Sequence, residues 1–126
     1  MSKAQNQKLM EDIIDYLETR ELFEDVNIYT NDHKYSSDKP RIADSSVTEL
    51  TTSKGNKYYD YGKWNVASQV EYNNPDSVTM TFEGVLYDVI NYDDEETVMT
   101  KLEQIGKKYG VYPELGYQWS LAFYNI

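Results

Sequence analysis

Apolar positions recur along this chain with two different periods. Between residues 6 and 24, Leu9, Met10, Ile13, Ile14 and Leu17 fall at helical spacing, with Tyr16 at the margin. Glu11, Asp12, Asp15 and Glu18 take the opposite face, which predicts an amphipathic helix. Ser2 or Asn6 is placed to cap its start, Leu22 and Phe23 extend it or tuck beneath it, and Asp25 ends it. Residues 26–30, Val-Asn-Ile-Tyr-Thr, switch to a period of two and read as a short β-branched strand, with a turn beginning at Asn31-Asp32.

The most regular alternation runs from Trp64 to Glu83. Trp64, Val66, Ser68, Val70 and Tyr72 share one side of a first arm, and Val78, Met80 and Phe82 share one side of a second. Asn73-Asn74-Pro75-Asp76 between them is turn chemistry, so the stretch predicts a β-hairpin with one apolar face. Residues 31–56 are rich in Ser, Asp, Lys, Pro and Gly and read as loop, with a short strand at Val47 to Thr51. Tyr58 to Tyr61 reads as a further strand.

Beyond Gly84, Val85, Leu86, Val89 and Ile90 have helical spacing over a short segment. Asp93 or Asp94 is an N-cap for a second main helix, whose stripe is Val98, Met99, Leu102, Ile105 and Tyr109. Lys107, Lys108 and Gly110 mark its end. Tyr112 to Gly116 reads as a turn, and residues 117–125 alternate as a final strand. The predicted class is α+β: a small antiparallel sheet of the hairpin 64–83, the C-terminal strand 117–125 and the strand 26–30. Two main helices, at about 6–24 and 94–109, pack on one face. The 126 residues form a single domain, 1–126, with a loop-rich segment at about 31–56.

Charge narrows the function. The chain carries 22 acidic and 12 basic side chains, a net charge of −10. That balance excludes the basic stripe of a direct nucleic-acid binder and disfavours an anionic membrane. It suits a basic protein partner, or simply solubility. There is no Cys, hence no disulfide framework and no thiolate zinc site, which fits a reducing cytoplasm. The N-terminus lacks the apolar core of a signal peptide, and no run reaches the ~18 apolar residues of a membrane helix.

Candidate chemistry is sparse. His33 is the only histidine, with Asp32, Asp38, Ser36 and Ser37 nearby in sequence, but no nucleophile-elbow motif accompanies it. The run Asp93, Asp94, Glu95 and Glu96 lacks the ligand alternation of an EF-hand loop, and an acidic helix start accounts for it. Glu71 and Glu83 share the polar side of the hairpin, as acids on any acidic sheet do. No phosphate-cradling glycine loop is present. These readings imply no cofactor, no metal and no enzyme.

Two features point to a partner instead. Of thirteen tyrosines, Tyr16, Tyr72, Tyr87, Tyr109 and Tyr117 sit on or beside apolar stripes and are predicted core. Tyr58, Tyr59 and Tyr61 crowd beside Lys57 and Lys63, and alternation cannot bury all three, which suits either an edge strand or an interface. Charge is also lopsided: residues 33–67 carry six basic and four acidic side chains, while the remainder balances to −12. Glu11, Asp15 and Glu18 form a row with ~4–6 Å of rise between neighbours. Such a row is either a solvated helix face or an imitation of phosphates that fits a basic groove.

In composition the chain looks like phage or mobile-element antidefence proteins and immunity proteins. The expected function is therefore a non-enzymatic acidic binding module. It would mimic nucleic acid in the basic groove of a nuclease, a restriction enzyme or a CRISPR effector, or neutralise a toxin. The alternative is an accessory or structural phage or plasmid protein that forms homo-oligomers through a Tyr-rich apolar surface.

Overall fold

Ser2 Oγ accepts the Gln5 N–H and Gln5 Oε1 accepts the Ser2 N–H, both at 3.1 Å. This capping box starts α1, Lys3–Thr19, in the computed structural model, which describes residues 1–126. Asn6 is buried instead, and donates to Asn31 Oδ1 and the Asp76 carbonyl. The helix stops six residues before Asp25. Glu21 N–H bonds the Glu18 carbonyl and Leu22 N–H bonds the Leu17 carbonyl, the paired bonds of a Schellman ending. Glu21 takes the left-handed φ of 57° that this ending requires, and Leu22 folds back into the core.

Seven strands form one antiparallel sheet: β1 (Val26–Thr30), β2 (His33–Ser36), β3 (Thr48–Thr51), β4 (Lys57–Lys63), β5 (Thr79–Phe82), β6 (Val111–Leu115) and β7 (Ser120–Asn125). Their spatial order is β3-β4-β2-β1-β5-β7-β6. Register aligns Tyr35, Ile28, Met80, Leu121 and Leu115 in one row across five strands. That row, with Val26, Phe82 and Phe123, faces the apolar stripes of α1 and of α3, Glu95–Lys107. Between β5 and α3, α2 (Gly84–Asp88) runs on through a wide helical turn to Asp93, closed by an Asp94 N–H to Val89 carbonyl bond. Asp94 caps α3 by accepting the Thr97 N–H. The α+β class and helices packed on an antiparallel sheet are thus as predicted, on a larger sheet.

The predicted hairpin does not form. β5 pairs with β1 and β7, and the segment before it is not a strand. Val66 and Val70 are four residues apart as well as on alternate positions, so their spacing satisfies a helical turn equally well. A 3-10 turn at Val66–Ser68 is capped by Asn65, and Val70 N–H bonds the Val66 carbonyl at 2.9 Å. Asn73 then bonds the Val70 carbonyl, and Asn74 bonds the Phe123 carbonyl at 2.8 Å. Asn and Ser offer such local alternatives to a strand ladder. The segment lies over the sheet's second face, where Tyr29, Val66 and Val70 form a small cluster with Trp64.

Three further readings change. The loop-rich segment begins with β2, because Asn31 and Asp32 both take positive φ (51° and 61°) and make a two-residue hairpin turn. The predicted turn at 112–116 belongs to β6, an edge strand where Pro113 is buried and its missing N–H is tolerated. The last strand starts at Ser120, three residues late, and Tyr72 and Tyr117 are exposed by 47% and 39% rather than core. No helix is long and apolar enough to cross a membrane.

Candidate functional site

The acidic row of α1 is largely occupied by the protein itself. Asp12 Oδ2 accepts Tyr109 Oη–H at 2.6 Å and pairs with Lys108 Nζ at 2.9 Å. Burial alone would raise its pKa, but the Lys108 and Tyr109 bonds hold it below its ordinary value. Asp15 accepts from the Ser53 hydroxyl and pairs with Lys54 at 3.3 Å, and both lower its pKa. Glu18 accepts from Thr52 and Asn56 at 3.0 and 2.6 Å. These three carboxylates fasten the 52–56 turn and the end of α3 to α1; Glu11 alone is exposed without a bond. They are tethers as much as a display.

The second acidic cluster stays apart. Asp93, Glu95 and Glu96 are exposed, while Asp94 serves as the cap. The length of α3, ~20 Å at 1.5 Å per residue, separates that cap from the Lys108 bound to Asp12. Of the three tyrosines on β4, Tyr58 is buried against Tyr35 and Phe23. Tyr59 and Tyr61 are half-buried, and Tyr61 Oη donates to the Asp38 carbonyl at 2.7 Å. Lys34 Nζ lies 5.0 Å from the Tyr61 ring centre and 4.6 Å from that of Trp64. His33 pairs with Asp60 of β4 at 2.9 Å. No group of three or more His, Asp or Glu is placed to hold a metal ion.

A more concentrated site lies where β1 begins and β2 and β5 end. Val26 pairs with Phe82 and Asn27 with Ser36, so the register brings Asp25, Asp38 and Glu83 to the same end of the sheet. All three line a cavity of about 270 Å³ together with Asn27, Tyr29, Gln69, Val70, Thr81 and Trp119. Asp25 N–H reaches toward Asp38 Oδ1 at 3.4 Å, and Ser37 Oγ–H donates to the same oxygen at 3.2 Å. The Asp38 charge, then burial, then Glu24 and Glu83 push the Asp25 pKa above its ordinary value. Neither carboxylate nor Glu83 has a cation within ion-pair distance. Gly84 permits the crowding, since a Cβ there would sit 2.5 Å from Asp25 Oδ2.

An exposed aromatic cluster adjoins the cavity through Trp119. Trp119, 40% exposed, stacks on Tyr117 at 5.3 Å, and Tyr72 meets Tyr117 edge-on at 5.1 Å. Tyr117 Oη donates to Glu71. Tyr29, 7% exposed, also lines the cavity. Burial raises its pKa, and the Thr81 hydroxyl beside it opposes the rise. Sequence reading missed this site because residues 25, 38 and 83 meet only through strand pairing. Their one local trace is an acid next to each of three strand ends.

No family model, curated protein or solved structure matches the chain.

Proposed function

We propose that this protein is an acidic binding module that captures a basic protein partner. The observation that carries the reading is the charge left uncompensated on the folded surface. Three of the 22 carboxylates pair with a lysine, leaving nineteen without a lysine or arginine partner. A field of that sign speeds encounter with a basic surface and rejects acidic ones. The partner class that fits is a cytoplasmic nucleic-acid-binding enzyme, such as a nuclease, restriction or CRISPR effector, or else a basic toxin. The module then acts as an antidefence or immunity-type inhibitor by occupying the groove. The separation of the two acidic clusters favours contact through one patch over imitation of a continuous phosphate run.

Affinity capture from native-host lysate tests this reading. A basic, nucleic-acid-binding protein or toxin should be retained at ~50 mM salt, released by ~500 mM, and displaced by duplex DNA where its groove is occupied. Capture indifferent to salt, or of acidic proteins only, overturns it. The exposed Tyr72, Tyr117 and Trp119 support a second reading, assembly of copies through an aromatic surface. Light scattering that gives a dimer lost in Trp119→Ala would favour that reading.

A further inference from the structure

We infer that β3 is a dimerisation edge: a second copy of this chain adds its own β3 antiparallel to it and joins two seven-stranded sheets into one. This surface is separate from the acidic patches of the binding-module reading and from the aromatic cluster at Trp119.

The two edges of the sheet are built differently. Beside β6, Ile126 N–H bonds the Gly110 carbonyl and Gly116 N–H bonds the Ser120 carbonyl, both at 3.0 Å. Tyr112 and Glu114 therefore bond to β7, while Val111, Pro113 and Leu115 turn their backbone outward. Pro113 has no N–H to offer, so the middle of that edge is closed to another strand. Beside β3, Thr52 N–H bonds the Asn56 carbonyl at 2.8 Å, so Thr48 and Leu50 are the residues that bond to β4. Glu49 and Thr51 turn N–H and C=O outward, and both are exposed. β3 has no proline, bulge or lysine of its own to protect it.

Register and charge select a second copy as the occupant. A two-fold axis at Leu50 sets Glu49 of each copy opposite Thr51 of the other, each pair exchanging both of its N–H···O bonds. The two Leu50 side chains then face each other across the axis. Leu50 is half-buried against the core, and its counterpart covers the apolar surface left open. Lys57 Nζ lies 3.3 Å from Thr51 Oγ1 and 3.3 Å from Glu49 Oε1. It thus reaches along the side chain that stands opposite Glu49 of the second copy, and each lysine meets a carboxylate from across the axis. β3 and β4 also belong to the segment 33–67, with six basic and four acidic side chains. Two copies repel least there, since the rest of the chain balances to −12.

The test uses the full chain. Sedimentation equilibrium from ~10 µM to ~1 mM should follow a monomer–dimer isotherm. The Glu49 and Thr51 amides should exchange at least about tenfold more slowly at the upper concentration, while those of Thr48 and Leu50, already bonded to β4, change little. Thr51→Pro removes only an outward N–H, so it should fold with the parent's circular dichroism and stay monomeric at ~1 mM.

Glu49→Lys and Lys57→Glu provide a check that needs no proline. Each alone places like charges across the axis and should weaken the dimer several-fold. An equimolar mixture of the two should form a heterodimer tighter than either variant forms by itself, because every lysine then faces a carboxylate. Trp119→Ala should dimerise as the parent does. A protein monomeric at ~1 mM, edge amides indifferent to concentration, a folded Thr51→Pro variant that still dimerises, or no gain on mixing each overturn the assignment. So does a dimer lost in Trp119→Ala.

Discussion

At the residue scale, caps and ties decide where elements stop and how they hold together. Ser2 and Asp94 were readable because cap residues have a strong local chemistry. Glu21 was not, because a left-handed helix ending is normally announced by glycine. Glu21 sits there at φ 57° with a side-chain penalty that glycine lacks. Glu21→Gly should stabilise the protein by about 1 kcal/mol, raising Tm by ~3 °C in a thermal melt.

A second residue-scale prediction concerns Tyr109. Burial first, and then its bond to Asp12, push its pKa up to about 12. Because the folded pKa is raised, the tie is intact below the unfolded value near ~10 and is lost as pH rises through about 12. For Asp12 the sign reverses. Its folded pKa is depressed, so its contribution is present above ~4 and fades as pH falls through the lower folded value. Tyr109→Phe should cost about 1 kcal/mol in urea unfolding at pH 7 and flatten the alkaline loss.

At the element scale, long periodic stretches were legible and short polar ones were not. The stripes of α1 and α3 repeat over several turns, and both helices form with those faces buried. β2 reads His-Lys-Tyr-Ser and carries too little alternation to be seen, so it is the Asn31-Asp32 turn that creates it. The stretch 64–72 shows the opposite error. Its alternation is real, but Val66 and Val70 suit a turn as well as a strand, and the surrounding Asn, Ala, Ser and Gln do not favour β structure. Hydrogen exchange separates the two directly. Glu71 and Tyr72 amides, which have no ladder partner, should exchange orders of magnitude faster than those of Thr79–Phe82. Equal protection would restore the hairpin.

At the scale of the whole molecule, the candidate pocket and the charge have one origin. Antiparallel register places Asp25, Asp38 and Glu83 at one end of the sheet, although 58 positions of sequence separate the first from the last. Net charge and its lopsided run along the chain were visible in the sequence, but its placement on the folded surface was not. Folding uses Asp12, Asp15 and Glu18 as internal ties and leaves the sheet end uncompensated. The tyrosines were redistributed in the same way: Tyr58 went into the core, while Tyr72 and Tyr117 came out beside Trp119.

The central claim is capture of a basic partner by this charge, and salt-dependent affinity tests it most directly. A calorimetric titration of the captured partner at 50 and 300 mM salt should show a single site whose Kd weakens by at least about tenfold, with association slowed in parallel. An affinity unchanged between those two salt concentrations would contradict the account.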